Sequence, residues 1–88
     1  IGRTDNLAIS NNTIRNTGRE SGWFTSGIHL EDADNTTVSG NTINTVNNGG
    51  DGIRIGGAGN WAAVATTGNV ISNNIIYGTS DDGVEATD

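Results

Sequence analysis

Val38-Ser39-Gly40-Asn41-Thr42-Ile43 is the middle copy of a motif this chain writes three times. It reads Ile9-Ser10-Asn11-Asn12-Thr13-Ile14 29 residues earlier and Ile71-Ser72-Asn73-Asn74-Ile75-Ile76 33 residues later. A second recurring element falls between the copies: Ser26-Gly27-Ile28-His29-Leu30, Asp51-Gly52-Ile53-Arg54-Ile55 and Asp82-Gly83-Val84-Glu85-Ala86. Two short interleaved strands per repeat are the pattern of a solenoid, in which each unit buries its apolar edge only against its neighbours.

Spacing within each copy selects strand over helix. Ile28/Leu30, Ile53/Ile55 and Val84/Ala86 sit two apart, the period that puts side chains on one face of a strand. They are expected to face inward as one stack, which turns His29, Arg54 and Glu85 outward on three successive rungs. In the other element Leu7/Ile9, Val38 and Ile71 begin a strand, and Ile14, Ile43 and Ile76 resume inward packing five residues later. That odd step requires a bend. Asn12, Asn41 and Asn74 share one offset and are expected at the bend, where Asn tolerates a left-handed backbone and its amide can bond its counterpart one rung away as a ladder. Tyr77 takes the outward position held by Arg15 and Asn44 in the other copies and reads as surface decoration.

Composition agrees with a thin, repetitive core. The chain has 88 residues, 32% of them hydrophobic and four of them aromatic, which allows at most one domain with little to pack. Fourteen glycines, with abundant Asn, Ser and Thr and no Pro, describe a turn-dense all-β chain, and the regular Ile, Val and Leu positions argue against disorder. Without cysteine, neither a disulfide nor a thiolate metal site can form. The net charge of −6, with no lysine and only Arg3, Arg15, Arg19 and Arg54 as cations, disfavours nucleic acid and anionic membranes, both of which need neutralising basic groups. No stretch is long and apolar enough for membrane insertion. The chain starts at Ile1 without Met or a charged-then-apolar leader, and so reads as a processed or excised piece.

Loop length varies between the repeats. Ile14 to Ile28 spans fourteen residues where Ile43 to Ile53 spans ten, and the excess lies around Trp23. Ile53 to Ile71 spans eighteen where Ile28 to Val38 spans ten, and the excess lies around Trp61. Both tryptophans thus occupy insertions, one before and one after the Gly-Ile strands, and are expected to flank the sheet that carries His29, Arg54 and Glu85. Exposed there, Trp23 and Trp61 would stack on sugar rings; otherwise they pack over the thin core or against another protomer.

The paired elements resemble the right-handed parallel β-helix proteins of the pectate-lyase-like superfamily. The residues carrying the likeness are Gly27-Ile28, Gly52-Ile53 and Gly83-Val84, each alternating with a strand of the Asn35-Thr36-Thr37-Val38-Ser39-Gly40-Asn41-Thr42-Ile43 type. The likeness covers roughly residues 6–88 and implies an all-β, right-handed parallel β-helix of about three coils; the handedness comes from the resemblance alone. It implies a secreted or cell-surface protein acting on acidic polysaccharide, because such families bind, cut or epimerise these polymers along one sheet. Family-specific motifs are mostly missing. Asp81-Asp82 is similar to the Asp pair of polygalacturonases, but Gly50-Asp51-Gly52 has Asp where their His belongs and Arg54-Ile55-Gly56 lacks their Lys. The Tyr, Asp, Pro, His, Asp cluster of mannuronan epimerases cannot occur, since the chain has no proline.

His29, Arg54 and Glu85 are the candidate catalytic residues and Trp23, Trp61 and Arg54 the candidate substrate contacts. Neighbouring strands lie about 4.8 Å apart, so the three outward groups can bridge one bound sugar. Arg54 would take a carboxylate bidentately while His29 or Glu85 moves a proton. A plainer reading pairs Arg54 with Glu85 across the sheet and leaves His29 solvated. Glu31, Asp32, Asp81 and Asp82 are weak calcium candidates, since hard divalent cations take six to eight oxygens, but their spacing matches neither an EF-hand loop nor a nine-residue calcium repeat. As solvated turns they need no ion, and Asp51 and Asp82 can bond backbone at the entry to each strand. No cofactor is expected otherwise.

Residues 1–88 are read as a single β-helix segment, either part of a longer solenoid or a unit of an end-to-end assembly. Uncapped strand edges are templates for another strand, so self-association through the β-helix ends is a possible partner mode beside polysaccharide. The function expected is therefore polysaccharide engagement by binding, lyase, hydrolase or epimerase action, with a structural extracellular fibre or surface scaffold as the alternative.

Overall fold

The computed structural model describes residues 5–17, 26–47, 50–56 and 67–86. Among them lie nine strands: β1 Ala8–Ser10, β2 Thr13–Thr17, β3 Ile28–Leu30, β4 Thr37–Ser39, β5 Thr42–Val46, β6 Ile53–Ile55, β7 Val70–Ser72, β8 Ile75–Thr79 and β9 Val84–Ala86. They form three parallel three-stranded sheets, β1-β4-β7, β2-β5-β8 and β3-β6-β9. The chain visits each sheet once before returning to the first, which makes a parallel β-helix of about three coils. Its register is the one the repeats imply: Ile9↔Val38↔Ile71, Ile14↔Ile43↔Ile76 and Ile28↔Ile53↔Val84.

Each coil carries three strands rather than the expected two. The Ile-Ser-Asn-Asn-Thr-Ile motif is a pair of strands in different sheets, because its bend is a full corner. The left-handed backbone at that corner belongs to Asn11, Gly40 and Asn73, with φ of 59°, 68° and 55°, and not to the ladder residues one position later. Turning the corner and reaching along the axis are separate tasks. Residues 11, 40 and 73 make the turn, and the side chains of Asn12, Asn41 and Asn74 are left to bond between coils. A second left-handed corner, at Asn6, Asn35 and Gly68, precedes the β1-β4-β7 sheet.

The ladder itself forms as expected. Asn12 donates from its backbone N and from Nδ2 to the Asn41 Oδ1, both at 3.0 Å. Asn41 donates in the same way to the Asn74 Oδ1, at 2.9 and 3.0 Å, and its Nδ2 also reaches the Ile9 carbonyl at 3.0 Å. Asn41 is fully buried, so this saturation matters, because an unpaired buried amide costs about 1–3 kcal/mol.

Inward side chains build the core: Ile28, Leu30, Ala33, Val38, Ile43, Val46 and Ile53 are buried, with Ile9, Ile14, Ile55, Ile71 and Ile76 packed against them. Val38, Ile43 and Ile53 on the middle coil are wholly inaccessible, and so is Leu30 on β3. The expected inward stack of Ile28, Ile53 and Val84 is therefore met in register but not in burial. Val84 is 47% exposed, because in a solenoid the neighbouring coil supplies the cover and no described coil lies beyond the third.

Glycine before each β3-type strand has a steric cause. Gly27 and Gly52 lie where backbone meets backbone: the Ile28 and Ile53 amides donate to the Gly52 and Gly83 carbonyls at 3.0 and 2.9 Å. A Cβ on Gly27 would stand 2.8 Å from the Gly52 oxygen, and one on Gly52 2.5 Å from the Gly83 oxygen. Any side chain would push the coils apart and break the ladder that defines the sheet.

Candidate functional site

The β3-β6-β9 sheet brings the three outward candidates into one column. His29 pairs with Arg54 in register, and Arg54 with Glu85. Alternation explains their direction, since Ile28/Leu30 and Ile53/Ile55 on either side point into the coil. All three are half-buried. The His29 Nε2 lies 3.4 Å from the Gly56 carbonyl at the end of β6.

Arg54 is the centre of an ion-pair cluster. Its Nη1 donates to the Glu85 Oε2 at 2.6 Å and to the Asp51 Oδ2 at 3.4 Å. The Arg54 Nε lies buried without an acceptor among the described residues, so the guanidinium is anchored from its Nη1 end. Asp51, in the turn before β6, is only 2% exposed, and its Oδ1 also accepts the Asp82 amide at 3.1 Å. One buried carboxylate thus ties the turn of the second coil to that of the third. The pairing of Arg54 with Glu85 matches the plainer reading of these residues, and Asp51 bonds backbone at the strand entry as read, though on the next coil; its ion pair with Arg54 is new. Its three-residue spacing from Arg54 was visible in sequence; its burial beneath the guanidinium depends on how the coils stack.

Asp51, Asp82 and Glu85 offer oxygens that all lie within 4.8 Å of one another. Crowded carboxylates resist sharing negative charge. The Glu85 carboxyl is held above its ordinary range, first by a hydrogen bond shared with Asp51 that its protonated form can donate, then by partial burial, with Arg54 opposing. Among the calcium candidates, Asp82 alone joins such a group among the described residues; Glu31, Asp32 and Asp81 do not. Positive charge in the group comes from the Arg54 guanidinium, which stands against two of the three carboxylates, so a cation would have to displace it. That is a poor fit for calcium, which wants six to eight oxygens free to turn toward it.

The acidic turn after β3 has a structural task. Asp34 accepts at Oδ1 from the Thr67 amide at 2.7 Å and from its hydroxyl at 3.1 Å, and its own amide donates to the Asp5 Oδ1 at 3.2 Å. A second amide bridge, missed in the sequence, stands at the neighbouring position. Asn69 accepts the Thr36 amide at 2.8 Å and donates to the Ala33 carbonyl at 2.7 Å. Its counterparts in the other coils are Thr36 and Leu7, so no shared residue type marked the column.

Trp23 and Trp61 lie outside the described residues. A depression of about 400 Å³ borders His29, but Ile9, Asn12, Thr13, Ile14, Gly27 and Ile28 line it. His29 is the one member of the outward column on its wall, and Arg54 and Glu85 are not among its lining residues.

No curated protein and no solved structure matches the chain. A family model described as the right-handed beta helix region matches residues 1–88. Three parallel sheets, an asparagine ladder inside the corner and a match along the whole length agree, and the chain belongs to the right-handed β-helix family.

Proposed function

We propose that this β-helix segment belongs to a secreted or surface protein that engages polysaccharide, with His29, Arg54 and Glu85 meeting the sugar along the β3-β6-β9 face. The observation that supports the reading is the in-register outward column, in which Asp51 and Glu85 hold Arg54 in place. A donor fixed before the ligand arrives loses little freedom on binding. With two carboxyl groups already set against its single charge, Arg54 is better suited to sugar hydroxyls than to a sugar carboxylate. Binding is the activity proposed; lyase, hydrolase or epimerase action on an acidic glycan would show as product in the same samples. The test is retention of the 88-residue chain in gels containing a neutral or an acidic polysaccharide. Arg54→Ala should weaken retention by both polymers about three- to tenfold, the worth of one or two hydrogen bonds. Unchanged retention would remove the column from the reading.

The second reading, a fibre or scaffold built by end-to-end stacking, has its own support. Val84 is 47% exposed, and a Cβ on Gly83 would meet nothing within 4 Å where Gly27 and Gly52 meet the next coil. A further coil, from this or another chain, would fill that space.

A further inference from the structure

The sheet next to the charged column presents different chemistry. On β2-β5-β8, Arg15, Asn44 and Tyr77 stand in register on successive coils. Beside them runs a second outward column, Thr13, Thr42 and Ile75. Ile14, Ile43 and Ile76 between the two columns pack into the core, which fixes the outward direction of both. None of these six outward residues is acidic, in a chain of net charge −6.

We propose that the Arg15-Asn44-Tyr77 column binds acidic sugar units, an inference that rests on the polysaccharide reading above and moves its anion-binding contact to another face. Charge decides between the two arginines. An anion approaching Arg54 must displace Glu85 and Asp51 and meets Asp82 in the same group. Arg15 is exposed and makes no ion pair among the described residues, so its guanidinium can meet a carboxylate fork to fork without that competition. Two coils away, Tyr77 is 53% exposed and Ile75, on the same face of β8, is 62% exposed. An aromatic ring beside an aliphatic side chain offers a flat apolar surface with a hydroxyl at its edge, which suits the C–H face of a sugar ring. Arg15 and Tyr77 are separated by two strand spacings, roughly 10 Å, a span that a short oligosaccharide covers. Asn44 stands between them in the register. The ligand class that meets all three groups is a uronate-bearing polysaccharide lying across the strands.

The experiment measures affinity of the 88-residue chain for polygalacturonate and for neutral dextran. Arg15→Ala should weaken polygalacturonate binding about tenfold or more and leave dextran binding unchanged. Tyr77→Ala should weaken both about three- to tenfold. Arg15→Lys, which keeps the charge, should retain part of the lost affinity, and added salt should shrink the difference between the polymers. A variant that merely loosened the sheet would not discriminate between them. Polygalacturonate binding that survives Arg15→Ala, or that falls with Arg54→Ala while Arg15→Ala is silent, overturns the column and leaves the polysaccharide reading standing. Wild-type chain that binds neither polymer overturns that reading and this one with it. A Tyr77→Ala chain that sediments as a smaller species than wild type assigns the face to a second copy and overturns the proposal.

Discussion

Glu85 shows how one residue's surroundings become a property of the molecule. Its carboxyl faces Arg54, which favours the charged form, and Asp51 and Asp82, which oppose it; the balance raises its pKa, with the hydrogen bond to Asp51 as the largest cause. A carboxyl whose pKa is higher folded than unfolded binds protons more readily in the folded state. Its contribution to stability is thus present below the ordinary glutamate value and is lost as pH rises through the raised one. In that window, wild type should lose thermal stability relative to Glu85→Gln, which keeps the neutral form at every pH. Melting followed by circular dichroism across the window checks this. Parallel curves for the two proteins would show that Asp51 and Glu85 share no proton. The outward direction of Glu85 was legible from the alternation of Val84 and Ala86, whereas the raised pKa was not, because it depends on a buried carboxylate 34 residues away in the chain.

Among elements, the asparagine ladder joins corners of successive coils, and its weight can be compared with that of a neighbour on the same strand-turn unit. Asn41 is buried and its amide meets both adjacent coils, whereas Ser39 is a half-buried strand residue two positions earlier. Asn41→Ala should cost about 1–3 kcal/mol, because it leaves the Asn12 donors and the Ile9 carbonyl without their partner. Ser39→Ala should cost less than about 0.5 kcal/mol. Chemical denaturation of the two variants decides the matter, and equal losses would mean that the ladder contributes no more than ordinary strand pairing. The ladder was legible because three asparagines share an offset. The Thr36–Asn69 bridge was not, since a column whose residues differ from coil to coil leaves no repeat to find. The third strand of each coil was missed for a related reason: hydrophobic spacing records which side chains point inward, but a bent strand and two strands meeting at a corner give the same spacing.

For the whole molecule the open question concerns the axial surfaces. Ile28 and Ile53 each donate their amide to the glycine carbonyl of the following coil. Val84 is their counterpart on the third coil, and its amide points by the same geometry toward wherever a further coil would sit. With β7, β8 and β9 all presenting such edges, the 88-residue polypeptide should associate along its axis. Association should persist at high salt, because backbone pairing and apolar cover drive it. Val84→Pro should weaken association, since proline removes a ladder donor without adding charge. Sedimentation velocity over a range of concentrations measures both. A monomer at every concentration would remove the fibre reading and leave a self-sufficient binding segment.

Sequence by itself determined the coil number, the identity of the inward stacks and the rung-to-rung register, because a solenoid repeats one local rule and each copy of the motif states it again. It also determined that His29, Arg54 and Glu85 share a column, which follows from strand alternation alone. Only the tertiary structure decided what that column is chemically. Stacking buries Asp51 under Arg54 and crowds Asp82 and Glu85 beside it, turning an apparent anion site into a cluster whose carboxyl groups outnumber its one guanidinium. The same stacking leaves Arg15 on an acid-free sheet. Sequence spacing fixes direction along a strand, but charge acts through space, and the distances between coils exist only once the chain has wound.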